Sequence, residues 1–151
     1  MIKKILIVPV FLIIVFLATT LMLPLFGINY YTVLTPSMTP VVKVNALVYI
    51  NTNKTDIIED DIVAVKTGGL PFLHRVVKVE GNEVETKGEQ NDNHERFPRE
   101  NIIGVMAFQI PYIGWFFKNK YLPWITIMAI LLYIVGNRFY EEIKKAKKRE
   151  N

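Results

Sequence analysis

Two long uncharged hydrophobic runs bracket the chain, and between them apolar residues come in short groups separated by turn formers. The first run extends from Ile5 to Ile28, behind Lys3 and Lys4. It is about 24 residues long, against the ~20 that a helix needs to cross a hydrocarbon core. Pro9 and Pro24 lie near its ends, where a kink costs least. A cleavable signal peptide competes with an anchor here, but its apolar core is only about 7–15 residues and leads to a small-residue cleavage site. This run is longer and exits through Leu25-Phe26-Gly27-Ile28-Asn29-Tyr30-Tyr31, so an uncleaved anchor is expected. The second run, Tyr121 to Asn137, holds about seventeen residues, the lower limit for a span. An interfacial or a buried core helix would fit that length too. The basic cluster Arg138, Lys144, Lys145, Lys147, Lys148 and Arg149 directly after it favours a span.

The polar-punctuated middle reads as short strands. Residues 32–50 are expected to be extended, above all the β-branched stretch Val41 to Ile50, closed by the turn formers from Asn51 to Lys54. Ile62 to Lys66 is a second short strand, ended by Gly68, Gly69 and Pro71. Leu73 to Val79 alternates as a half-buried strand does. Gly81-Asn82 signals a hairpin, with Glu83 to Lys87 as the returning partner. The polar stretch Gly88 to Glu95 is expected to be a loop, and Ile102 to Ile110 a last strand with a glycine inside it. The predicted fold class is mainly β, a small partly closed barrel or folded sheet flanked by two transmembrane helices. The expected organisation is a cytoplasmic N-terminus (1–4), a first span (5–28), an extracytoplasmic β-domain (29–121), a second span (122–137) and a basic cytoplasmic tail (138–151).

Charge changes this picture only in its topology. The formal net charge is +4, yet residues 29–121 carry one more Asp/Glu than Lys/Arg, so the basicity is terminal. A nucleic-acid footprint would concentrate positive charge on the folded domain. Basic residues beside hydrophobic spans instead mark the cytoplasmic side, which leaves the β-domain outside. The absence of cysteine excludes disulfides, a thiol nucleophile and cysteine-ligated metal sites.

The middle domain contains one serine held between prolines, in Thr35-Pro36-Ser37-Met38-Thr39-Pro40. Each proline fixes its own φ and biases the preceding residue away from the helical region, so Ser37 is expected on extended or turn backbone. A serine hydroxyl is a poor nucleophile until a neighbour takes its proton. His74, one of two histidines, is the candidate base, since an imidazole near its ordinary pKa does this at neutral pH. Such a histidine needs a carboxylate to fix its tautomer, and the loop after Lys87 offers Glu89, Asp92 and Glu95. His94 is expected to be exposed and incidental. His74 and His94 lack a metal-ligand spacing, and there is no HExxH, so neither a metal nor a cofactor is expected.

Ser37-Met38-Thr39-Pro40 resembles the Ser-Met-x-Pro box of type I signal peptidases. Leu73-His74-Arg75-Val76 resembles the box holding their general base, and Thr86-Lys87-Gly88-Glu89-Gln90-Asn91 the Thr-Lys-Gly-Asp-x-Asn box that supplies the acid. Order, spacing, both hydrophobic segments and Ile110-Pro-Tyr-Ile-Gly-Trp115 agree over residues 5–137. Histidine in the base position resembles the branch found in archaea, the endoplasmic reticulum and some Gram-positive bacteria. The resemblance implies a membrane serine endopeptidase that removes signal peptides from exported preproteins at the outer membrane face. Ser37 would be the nucleophile and His74 the base, with Glu95 or Glu89 as supporting acid. The Ser37 N–H and the Thr35 hydroxyl would form the oxyanion hole. Substrate would be added as a β-strand against walls around Met38–Val42 and Asp61–Val65, including Met38, Val41, Ile62 and Val63. Signal peptides and the bilayer are the implied partners, with the translocation machinery as a further candidate and no nucleic acid. Three departures stand against the family pattern: glutamate for aspartate at 89 and 95, Pro36 for the usual glycine, and Val44-Asn45-Ala46 where a Gly-Asp pair is frequent. They keep a second class open, a catalytically silent membrane-anchored β-domain that binds secreted segments or a partner protein.

Overall fold

The structure is a computed structural model that describes residues 2–150, so Met1 of the expected N-terminal segment and Asn151 of the tail lie outside the described residues. Helix α1 (Ile2–Met22) forms from the first apolar run. It ends earlier than the run does. Leu23–Phe26 is a 3-10 turn, and Gly27 closes it at φ 75, its N–H bonded back to the carbonyls of Leu23 and Pro24. Pro24 has no N–H to continue the helical ladder, and only glycine takes the left-handed closure without steric cost. Ile28, Asn29, Tyr30 and Tyr31 therefore belong to a strand, β1 (Ile28–Thr32).

Six further strands complete the sheet: β2 (Leu47–Asn51), β3 (Ile62–Val65), β4 (Phe72–Glu80), β5 (Glu83–Lys87), β6 (Glu95–Pro98) and β7 (Ile102–Ile110). They make one seven-stranded antiparallel sheet in the order β1-β2-β7-β3-β4-β5-β6, with β1 and β6 as edges, so the sheet is folded and not closed. The expected hairpin at Gly81-Asn82 is present, with Glu80 paired to Glu83. Two expectations fail. Residues 33–46 of the expected extended segment are loop, the stretch 41–46 despite its β-branched composition, because Pro40 cannot donate to a ladder and Asn45 sits at φ 64. Glu95–Pro98 was expected to begin in loop, yet it pairs with β5 as an edge strand, Val84 opposite Phe97 and Thr86 opposite Glu95.

Strand β3 is an unbroken apolar run buried on both faces, as a central strand covered on two sides must be. Ile62 and Ala64 enter one core with Val33, Met38, Val42, Val48, Ile50 and Leu73. Val63 and Val65 enter a second core with Ile57, Val76, Val84 and Val105, against which Phe72 and Phe97 pack. Strand β7 serves both β2 and β3, and Gly104 lies where it crosses between them. A Cβ there would fall 2.4 Å from the carbonyl oxygen of Asn51, so only glycine permits the approach. Near the base of this unit a buried Thr20 Oγ1 and Tyr49 hydroxyl hydrogen-bond at 2.8 Å, and the Tyr49 ring stacks on Phe108 at 4.2 Å.

A four-residue helix, α2 (Gly114–Phe117), comes after β7, and α3 (Leu122–Glu150) completes the chain. The stretches Val8–Phe26 and Leu122–Arg149 are both long and apolar enough to cross a membrane. Val8, Phe11 and Leu12 on α1 and Ile125, Met128 and Leu132 on α3 are exposed, an apolar surface suited to lipid.

Candidate active site

Ser37 lies in the loop of residues 33–46 that joins β1 to β2. The loop is closed at its base by Val33 N–H donating to the Ala46 carbonyl at 3.0 Å and Asn45 N–H to the Val33 carbonyl at 2.9 Å. Inside it, Thr39 N–H bonds the Pro36 carbonyl and Val42 N–H the Met38 carbonyl, each at 2.8 Å, so Ser37 stands on turn backbone. Met38, only 1% exposed, plugs the first core and fixes the position of the residue before it. The Ser37 hydroxyl faces that of Thr35 at 3.4 Å, and the Ser37 N–H donates to nothing among the described residues. An unengaged N–H and a neighbouring hydroxyl are what an oxyanion hole uses.

His74 is placed by the sheet. It pairs in register with Val63 of β3, packs its ring edge-on against Phe72 at 4.9 Å, and is buried. Its Nδ1 lies 3.2 Å from Thr86 Oγ1 on β5 and 3.5 Å from Glu95 Oε2 on β6. Burial pushes the imidazole below its ordinary pKa of 6.5, and the Glu95 charge opposes this less strongly. Nε2 makes no hydrogen bond among the described residues, and no buried side-chain nitrogen or oxygen there lacks a partner. Nε2 is therefore the ring nitrogen without a partner among the described residues, on a side chain that is otherwise buried.

Backbone contacts tie the serine turn to the segment that follows β5, the strand next to that of His74. Gln90 N–H donates to the Ser37 carbonyl at 2.9 Å, and Asn91 N–H to the Gly88 carbonyl at 3.0 Å. Arg75 pairs with Lys87 across β4 and β5, and continuing that register by one residue sets Gly88 across from His74. A Cβ on Gly88 would come within 3.1 Å of the Ser37 carbonyl oxygen and closer still to the Asn91 side chain, so any side chain there would crowd the serine turn. The Ser37 and His74 side chains do not hydrogen-bond to each other.

The two glutamates separate cleanly. Glu89 Oε1 accepts from Arg75 Nε at 2.7 Å and is 2.6 Å from its Nη2, while Arg75 Nη1 donates to the Asp60 carbonyl. Glu95, not Glu89, is beside the imidazole. Asp92 is exposed and contacts neither, and His94 is exposed with Nδ1 2.6 Å from Glu85 Oε1.

A cleft of about 370 Å³ opens beside Ser37, lined by Tyr31, Leu34, Thr35, Met38, Ala64 and Leu73 among others. Of the four candidate wall residues, Met38 lines it. Val41 is exposed outside it, Ile62 is in the first core, and Val63 is fully buried in the second. The second wall segment contributes Ala64 instead. Thr86, Arg75 and Gln90 were missed as parts of the site. Alternation from Val84 to Thr86 was the signal available, since it sets that hydroxyl on the inward face.

Fold and site together define a small antiparallel β protein with lipid-compatible helices, built around a turn serine and a buried strand histidine. A family model described as signal peptidase, peptidase S26, matches residues 4–108, more than two thirds of the chain, and the chain belongs to that family. No curated protein matches it. Family membership makes this a signal peptidase in general terms, a protease whose substrates are signal peptides.

Proposed function

We propose that this protein is a serine endopeptidase that removes signal peptides outside the cytoplasm, with Ser37 as nucleophile and His74 as general base. The observation that carries the reading is the state of the imidazole: Nδ1 is occupied by Thr86 and Glu95 while Nε2 has no partner among the described residues. A base held in this way has one nitrogen left for one proton.

Substrate enters the cleft between residues 30–38 and 70–73 as an extended strand, using main-chain hydrogen bonds for affinity and the apolar walls for side-chain choice. As it fills the cleft, Ser37 Oγ leaves Thr35 and meets Nε2, a contact of the kind that tightens only with substrate bound. Oγ attacks the scissile carbonyl, its proton passes to Nε2, and the tetrahedral oxyanion is held by Ser37 N–H and the Thr35 hydroxyl. Collapse breaks the peptide bond. The proton goes from Nε2 to the departing amine, and water then hydrolyses the acyl-enzyme by the same base. Removing the Thr35 hydroxyl is expected to cost about 3 kcal/mol of transition-state stabilisation. Glu95 stabilises the imidazolium, and Glu89 with Arg75 braces the loop that carries Gln90.

Lys3, Lys4 and the cluster from Arg138 to Arg149 set both ends in the cytoplasm and the sheet outside the cell membrane. Confinement to the plane of the substrates raises their effective concentration. The test is cleavage of a model preprotein by the full-length protein in detergent, with N-terminal sequencing of the product. Wild type is expected to cut once, and Ser37→Ala and His74→Ala to lose cleavage. Retained processing by either variant would exclude this mechanism, and a wild type that binds without cutting would leave a binding module.

A further inference from the structure

Two groups face Nδ1 of His74, and they are unlike. Glu95 Oε2 is 3.5 Å away on a side chain that is 48% exposed, too distant for a strong hydrogen bond and free to move in water. Thr86 Oγ1 is 3.2 Å away on a residue with no exposed surface. Thr86 is also the only residue with which the His74 side chain makes a hydrogen bond among the described residues. Its own position is over-determined: it is the fourth residue of β5, pairs with Val76 on one side and Glu95 on the other, and is β-branched, so its χ1 is stiff. The rigid contact and the charged contact thus come from different residues.

We infer that Thr86 is a positioning residue for His74: its hydroxyl oxygen accepts a hydrogen bond from Nδ1–H and so holds the imidazole in the tautomer whose Nε2 is free to take a proton. The inference rests on Ser37 being the nucleophile and His74 its base. A carboxylate on the Nδ1 side favours a proton there, which makes the threonine oxygen an acceptor toward the ring and not a donor. Glu95 contributes charge to the imidazolium formed in the reaction, and Thr86 contributes orientation before it. On β4 and β5 Val76 and Val84, its neighbours on the inward face, carry no side-chain polar atom, and on β6 Nδ1 has only the more distant, half-exposed Glu95.

The experiment compares full-length wild type, Thr86→Val, Thr86→Ser and His74→Ala in detergent micelles on a signal-peptide-bearing preprotein. Valine keeps the β-branched shape and removes the oxygen. Thr86→Val is expected to lower kcat by about ten- to a hundredfold with KM within about twofold, and Thr86→Ser to recover most of kcat. The imidazole nitrogens are followed in parallel by NMR at mildly alkaline pH, in a His94→Gln background that leaves one histidine. Wild type is expected to show Nδ1 protonated and Nε2 bare, and Thr86→Val a mixture of both tautomers. Should Thr86→Val not fold, Thr86→Ala is read in the same two ways. An unchanged single tautomer, or a wild-type kcat, overturns the inference while an inert His74→Ala leaves the function intact. A His74→Ala that still cleaves overturns the function and this inference with it.

Discussion

Ser37 sits on a loop, held by two short-range turns, one buried neighbour and a single hydrogen bond from Gln90 to its carbonyl. His74 sits in mid-sheet, with Val63 of β3, Thr86 of β5 and Glu95 of β6 around it. The proposed nucleophile is placed by local chain chemistry, and the proposed base by pairing between strands distant in sequence. In the proposed mechanism a loop suits the group that must move, Ser37 Oγ going from Thr35 toward Nε2, whereas a base gains from not moving. The sheet therefore sets the frame of the site, and the loop supplies the movable part.

The joint between the two halves is where this contrast breaks most readily. Gly88→Val would press branched carbons toward the Ser37 carbonyl oxygen, which a Cβ alone already approaches to 3.1 Å. The Asn91 side chain can swing aside, but the serine backbone must shift. A displacement of this order is expected to lower kcat about a hundredfold while leaving the sheet folded. The measurement is kcat beside the thermal midpoint, and a loss of both in proportion would show that Gly88 serves the fold and not the joint.

A smaller effect is expected from Glu95→Gln, and it has a sign. Burial lowers the His74 pKa and the Glu95 charge raises it, so removing that charge lowers it further. The acid limb of the kcat/KM profile should move to lower pH, with the plateau reduced several-fold because the imidazolium loses its counter-charge. Stability obeys the same linkage. The folded pKa lies below 6.5, so the unfolded chain binds more protons between the two values. Stability is fully present above about 6.5 and declines as pH falls through the folded pKa. An acid limb that moves upward in Glu95→Gln would mean that Glu95 does not face the base in solution.

Legibility in the chain divides along the same line between local and long-range. The serine turn, the Gly81 hairpin and the apolar run of β3 are local, and composition with proline and glycine spacing announced them. The stretch from Val41 to Ala46 reads as a strand by composition, yet Val42 fills the first core without joining a ladder while Val41 and Val44 are exposed, a tertiary effect that propensity does not contain. Strand β6 was missed since Glu95 and Arg96 look solvated. What makes it a strand is Phe97 packing beneath β5, a contact invisible in the local pattern. The same pairing decides which glutamate faces His74.

The choice between those glutamates carries the smallest expected effect. Glu89 and Glu95 are six residues apart in one segment and equally acidic by composition, yet Arg75 engages Glu89 and the imidazole has Glu95. Glu89→Gln keeps an acceptor for Arg75 and loses the charge of a half-buried pair, worth about 1 kcal/mol after screening by solvent. It should lower the thermal midpoint by a few degrees, leave kcat within about threefold, and leave the acid limb where wild type has it. Moving the limb as far as Glu95→Gln does would mean that both carboxylates share the base, and strand pairing would then not be what selects between them. A limb that responds to residue 95 alone ties the choice of acid to the pairing of Thr86 with Glu95 across β5 and β6.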